Sequence, residues 1–239
     1  MEILNYKKNP FNICHFQGRS FGAYSMLFKN VSENKLSKPD NLDVITFFNN
    51  KNNAMLAIQL DKQNIPYFNG FTNFDKKWDN RFKISSAIDV LEKCTNEIVM
   101  LLDANDVLIL SFDNIVEKFK STDKRILFNA TSNNYPDVLI DKVRNRDFLG
   151  KFRYFNAGCC IGYREDVLMF YKQCKEFMDS NPYNPWSSEQ FIVRNIFAKY
   201  LKNEDYSVDF DYECNIFQTF ANTKIEKITT NEDDRYRVF

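Results

Sequence analysis

Residues 98–110 read Ile-Val-Met-Leu-Leu-Asp-Ala-Asn-Asp-Val-Leu-Ile-Leu, an apolar run broken once, by Asp103-Ala104-Asn105-Asp106. A run with no polar alternation belongs to a strand buried on both faces, as in a parallel sheet between layers of helices. The break places two carboxylates at the end of such a strand. They repel each other unless a cation lies beside them. Hard oxygen ligands of this kind suit Mg²⁺ or Mn²⁺. The competing reading is a plain turn in which the Asp103 side chain caps a nearby amide.

The neighbouring segments alternate as an α/β fold requires. Residues 42–48 (LDVITFF) are strand-like, 51–64 have the apolar spacing of a helix, and 65–71 read as a second strand. A helix over 81–94 leads into the 98–110 strand, followed by a helix over 111–121 with Ser111 or Asp113 near its cap and a strand over 125–131. Residues 153–178 read as a strand or turn of small residues running into a helix. Residues 187–201 read as a helix capped by Ser187 or Ser188, and 206–220 are strand-like. This order predicts one α/β domain over 1–239: a mixed, mostly parallel sheet flanked by helices, with a ligand crevice at the carboxyl ends of its strands. Residues 1–41 fit the alternation poorly and read as an appended segment.

Charge narrows the partners. The 32 basic and 32 acidic residues balance and the pI is about 6.6, so no global field favours nucleic acid or an anionic membrane. The opening residues lack a signal-peptide pattern and no stretch is long enough to span a bilayer, which points to a cytoplasmic protein without membrane contact. The six cysteines form no C-x-x-C pair and read as reduced thiols.

The sequence resembles the glycosyltransferase domain of the procollagen lysyl hydroxylases and its relatives, which have a GT-A (Rossmann-like) fold. The resemblance rests on "LLDANDVLIL", which looks like the family's Asp-x-x-Asp metal motif. It extends through "YFNAGCCIGY", "SSEQF" and "YECNIFQTF", in the family's order from about Asp43 to Phe220. It implies a metal-dependent hexosyl- or pentosyltransferase that takes a nucleotide sugar, most simply a UDP-sugar, and passes the sugar to an acceptor hydroxyl; glycans, proteins and, in a separate reading below, a modified DNA base are the acceptors considered.

Residue by residue, the resemblance assigns Asp103 and Asp106 to the divalent ion and, through it, to the donor. Thr46 would lie near the base and Lys83 near the diphosphate, while Asn156, Ala157 and Gly158 would form the floor under the donor sugar. Glu189 would be the general base or orient the acceptor hydroxyl. For Lys83 and Glu189 the bland alternative is a solvated helix face. The family's third ligand, a histidine near the domain's C-terminus, has no counterpart after Phe220. Residues 13–18 (ICHFQG) look like the missing motif, which makes His15 the third ligand. A circular permutation would then have moved the family's C-terminal strand to the front, with Leu36 to Asn41 as the new connector. A lone histidine is more often structural.

Two other readings stay open. A phage-type enzyme acting on hydroxymethylated bases would use Lys142, Arg144, Arg146, Lys151 and Arg153 on phosphates and Tyr135, Tyr154 or Trp186 for stacking. A non-catalytic nucleotide-sugar-binding module is the second, favoured by "WSSEQ" standing where the family has an acidic run.

Overall fold

The computed structural model describes residues 2–3, 9–16, 35–71, 79–135, 150–181, 188–220, 229–230 and 235–237. The strands are β1 (Glu2–Ile3), β2 (Ile13–His15), β3 (Leu42–Phe47), β4 (Phe68–Asn69), β5 (Ile98–Asp103), β6 (Val107–Ile109), β7 (Ile126–Thr131), β8 (Tyr154–Tyr163), β9 (Val208–Asp211), β10 (Phe217–Thr219), β11 (Thr229–Thr230) and β12 (Arg235–Arg237). The helices are α1 (Met55–Lys62), α2 (Phe82–Leu91), α3 (Ile115–Lys120), α4 (Arg164–Ser180) and α5 (Glu189–Lys202).

Six strands form the central sheet in the order β4-β3-β5-β8-β7-β9. Three of its pairings are parallel (β4 with β3, β3 with β5, β7 with β9), whereas β8 runs antiparallel to both β5 and β7. The mixed, mostly parallel α/β sheet read from the alternation is therefore present, with one reversed strand in its middle.

Alternation along the strands divides the core in two. Ile45, Phe47, Val99 and Leu101 pack with Ile84 and Ala87 of α2, Phe170 of α4 and Ile192 and Phe197 of α5. Val44, Met100 and Leu102 face the other way, onto Leu56 and Leu60 of α1 and Ile115 and Phe119 of α3. Both faces of β5 are covered, which is why its sequence is apolar without a break.

The run 98–110 is not one strand. β5 stops at Asp103, and β6 joins a separate sheet of order β10-β2-β6, antiparallel to β2. A single strand would have carried Val107–Ile109 past the edge of the central sheet. Instead they bury against β2, and the Gln59 side chain closes the free edge of β6. Its Nε2 donates to the Ile109 carbonyl at 2.7 Å and its Oε1 accepts from the Ile109 N–H at 3.0 Å. The stretch 206–220 divides in the same way, into β9 and β10. The Asp211 carboxylate holds the turn by accepting from the N–H groups of Asn215, Ile216 and Phe217 at 3.1, 2.7 and 2.9 Å.

Other boundaries moved less. Residues 51–64 open with a 3-10 turn, Lys51–Asn53, before α1, and the strand in 65–71 is only β4. Helix α3 starts at Ile115 behind Asn114 in the left-handed region (φ 52°), and Ser111 Oγ accepts from the Asp113 N–H rather than capping the helix. Ser188 does cap α5, accepting from the Phe191 N–H at 3.2 Å. All six cysteines are buried and none forms a disulfide. No helix among the described residues is long and apolar enough to cross a membrane.

Candidate active site

Asp103 is the last residue of β5, and the turn that follows delivers Asp106 to the start of β6. The register of β6 against β2 sets His15 opposite Val107, and the Phe16 N–H donates to the Asp106 carbonyl at 2.7 Å. These pairings bring the imidazole over the turn. His15 Nε2 lies 3.5 Å from Asp106 Oδ2 and 3.8 Å from Asp103 Oδ2. Among the described residues, His15, Asp103 and Asp106 form the group of metal-ligating side chains whose ligand atoms all lie within 4.8 Å of one another. The segment read as appended is thus built into the site.

Gly158, in β8, is what allows the three to meet. A Cβ on it would lie 2.5 Å from His15 Cε1 and 2.8 Å from Asp103 Oδ2. The strand is irregular there, because β8 slips in its register against β7 between Phe128 and Asn129. Such a bulge re-aims a strand beside a site. The Asn156 side chain stabilises it by accepting from the Gly158 N–H at 2.8 Å. The Ala157 N–H is taken by Gln190 Oε1 at 2.7 Å, and Gln190 Nε2 donates to the Phe155 carbonyl at 3.1 Å. Asn156, Ala157 and Gly158 therefore form one tied-down floor.

Lys83, in the first turn of α2, is buried rather than solvated. Its Nζ sits 2.6 Å from Asp103 Oδ1 and 3.0 Å from Glu189 Oε1, so one ammonium bridges the two carboxylates. Burial alone would lower the lysine's pKa, but Asp103 and Glu189 outweigh it and the pKa is raised. Glu189, at the N-terminus of α5, has its pKa pushed up to about 7, chiefly by burial and against the pull of Lys83. For His15, burial disfavours the charge, yet Asp106 and Asp103 together raise the pKa.

A cleft of about 290 Å³ opens beside this cluster, its walls formed by Asp103 and Asp106 with Phe48, Asn49, Asn80 and Asn105. Thr46 is fully buried and its Oγ1 has no hydrogen-bond partner, so the residues just beyond it on the chain meet the cleft in its place. Of the residues considered for DNA contact, Lys142, Arg144, Arg146 and Trp186 lie outside the described residues, while Tyr135 is largely exposed.

The sequence reading passed over Gln190, Asn129 and Thr219. Asn129 Nδ2 lies 2.9 Å from His15 Nδ1 and donates to Thr219 Oγ1 at 2.9 Å. A polar residue inside the apolar strand "RILFNAT" was the available signal.

The family model described as "PLOD GT domain" matches residues 73–239. Similar proteins include procollagen-lysine,2-oxoglutarate 5-dioxygenase 2 of Mus musculus, 24% identical over 142 residues, which covers 59% of this chain and 18% of the relative. The procollagen-lysine,2-oxoglutarate 5-dioxygenase of Drosophila melanogaster is 25% identical over 147 residues, 60% of this chain and 19% of its own. An uncharacterized protein of Acanthamoeba polyphaga mimivirus, R699, is 26% identical over 141 residues, 57% and 28% respectively. The match spans about a fifth of the length of the procollagen relatives.

Proposed function

Because the chain belongs to the PLOD GT domain family, a glycosyltransferase type, we propose that it moves a sugar from a nucleotide sugar, a UDP-sugar in this reading, to an acceptor hydroxyl. A divalent cation, Mn²⁺ or Mg²⁺, would be held by His15, Asp103 and Asp106. The observation that carries this is the convergence of one buried imidazole on two carboxylates that line the cleft. The donor set fits such an ion: two hard carboxylates and one nitrogen, with a glycine leaving the space in front of them clear. When bound, the ion offsets the charge that grows on the departing diphosphate.

The chain's own groups supply the rest. The Lys83 ammonium keeps a positive charge beside Asp103 and would face the donor diphosphate. The floor of Asn156, Ala157 and Gly158 lets the donor sugar approach the backbone closely. Glu189, its carboxyl pushed up to about 7 by burial, takes the proton of the acceptor hydroxyl in its ionised form. The acceptor oxygen then bonds to the anomeric carbon while the bond from that carbon to the diphosphate oxygen breaks. Asp106 would hold the ion, and Phe48 and Asn49, which line the cleft, would face the nucleoside in the place first assigned to Thr46.

We read residues 1–239 as one domain whose segment order is permuted, the histidine segment standing first. Two pairings support this: β2 lies between β10 and β6, and Glu2 is opposite Arg235 in a parallel β1–β12 pair.

The test is a panel of nucleotide sugars incubated with the protein and Mn²⁺, read as release of free nucleotide, beside calorimetric titration of UDP with and without the metal. Cation-dependent UDP affinity with slow donor hydrolysis is the expected result. UDP binding indifferent to the metal, with every donor intact, would mean a binding module instead.

A further inference from the structure

The imidazole of His15 has two nitrogens, and only one of them faces Asp103 and Asp106. The other, Nδ1, is met by the side-chain amide of Asn129 at 2.9 Å. Asn129 is fully buried in β7, and the same amide nitrogen donates to Thr219 Oγ1 at 2.9 Å. Its oxygen, Oδ1, is buried with no hydrogen-bond partner. A buried amide oxygen left unpaired is costly, so such an arrangement needs a reason.

The ring's tautomer supplies one. A neutral imidazole carries one proton and offers one lone pair. With Asn129 Nδ2 pointing at Nδ1, the lone pair is on Nδ1 and the proton on Nε2, directed at the carboxylates 3.5 and 3.8 Å away. That tautomer cannot give Nε2 to a cation. A cation on Nε2 requires the proton on Nδ1, and Nδ1–H requires an acceptor. Turning the Asn129 amide over exchanges its oxygen and nitrogen in place, so that Oδ1 receives the Nδ1 proton. The Thr219 hydroxyl tolerates both states, because it can accept from Nδ2 or donate to Oδ1. Register holds the three together: His15 is opposite Thr219 in the β2–β10 pair, and Asn129 reaches them from the neighbouring sheet.

We propose that Asn129 is a positioning residue for a divalent cation at this site, its amide steadied by Thr219 and turning over when Nε2 of His15 takes the ion. The inference rests on His15 being a ligand, as argued above. Partners that orient a ligating histidine in this way are worth about 10- to 100-fold in metal affinity.

The experiment uses the fact that the chain has a single histidine. Protein labelled with ring-¹⁵N histidine gives one pair of ring signals, recorded where the ring is uncharged. Without metal the proton should reside on Nε2, and adding diamagnetic Mg²⁺ should move it to Nδ1. In parallel, Asn129→Leu should weaken Mn²⁺ binding by about 10- to 100-fold, and Asn129→Asp, which restores an acceptor at Nδ1, should recover it. A proton that stays on Nε2 when Mg²⁺ binds, or an Asn129→Asp protein as weak as Asn129→Leu, would overturn the proposal. Should His15→Ala bind Mn²⁺ as the unaltered protein does, the metal reading itself falls. The wild-type spectrum decides the tautomer question even if Asn129→Leu does not fold.

Discussion

His15 Nε2 stands 3.5 Å from Asp106 Oδ2 because β2 and β6 pair antiparallel with His15 opposite Val107, the residue after Asp106. Backbone hydrogen bonds between the two strands therefore bring the imidazole and the carboxylate together.

If that contact marks a metal site, His15→Ala should lower Mn²⁺ affinity by about 100-fold or more, above the range typical of residues that only orient a ligand. Sugar transfer should fall with it. Isothermal titration and a donor-hydrolysis assay measure the two effects, and unchanged binding would remove His15 from the ligand set.

Lys83→Met should destabilise the protein even without metal. Glu189 would be left buried without its cation, and breaking such a pair costs about 3 to 5 kcal/mol. Asp103 is partly exposed and contributes less. At roughly 2–4 °C per kcal/mol for a chain of this size, thermal unfolding should begin about 10 °C lower. A melting curve that superimposes on the unaltered protein would show the ammonium to be dispensable.

Gly158→Ala tests the close approach of β8. The new methyl meets His15 and Asp103 below van der Waals contact, so the two side chains must move apart. Overpacking of this kind costs about 1–3 kcal/mol. Cation affinity should drop together with stability, and the Mn²⁺-induced rise in melting temperature should shrink. A variant that keeps the full rise would show that the ligands reach the ion by another geometry.

The pH dependence follows from Glu189. Burial raises its carboxyl from an ordinary 4.5 to about 7, so if Glu189 is the general base, turnover should climb as pH passes about 7. For stability the sign is opposite. A group whose folded pKa lies above its unfolded value stabilises fully below the unfolded pKa, and that contribution is lost as pH rises through the folded one. Between about pH 4.5 and 7 this carboxyl therefore favours the folded state less and less. Glu189→Gln should flatten both the activity limb and that part of the stability profile. Profiles that retain both slopes would assign them to another group.

If the segment order is permuted, residues 1–38 can be moved behind Phe239 through a flexible linker of about a dozen residues, since β12 and β1 run parallel, with the chain opened at the exposed turn around Asp40. The rearranged protein should fold and bind Mn²⁺ with His15-dependent affinity. Circular dichroism and the same titration decide it; an unfolded product would count against the arrangement.

Much of the fold was legible because its signals are local. Ile98–Leu102 is apolar at every position, which only a strand covered on both sides tolerates, and the spacing of Ile84, Ala87 and Leu91 marks the inner stripe of α2. What local pattern could not reveal was where a strand leaves its sheet. The apolar run continues through Val107–Ile109 because those residues are equally buried, in a different sheet, and hydrophobicity carries no label for the partner. Lys83 shows the same limit: its place on α2 fitted either a solvated helix face or a buried site, and only the packing of β5 and α5 around it made it a buried bridge.

The sequence by itself determined most of the helices and strands and the two carboxylates at a strand end, since each depends on neighbours a few positions away. For His15, Lys83 and Gly158 a family resemblance supplied only an expectation, and for Asn129 there was none; the tertiary structure decided that all four meet around those carboxylates. Convergence is a matter of strand register and sheet order, which arise from hydrogen bonds between segments far apart in the chain, and no spacing within one segment records them.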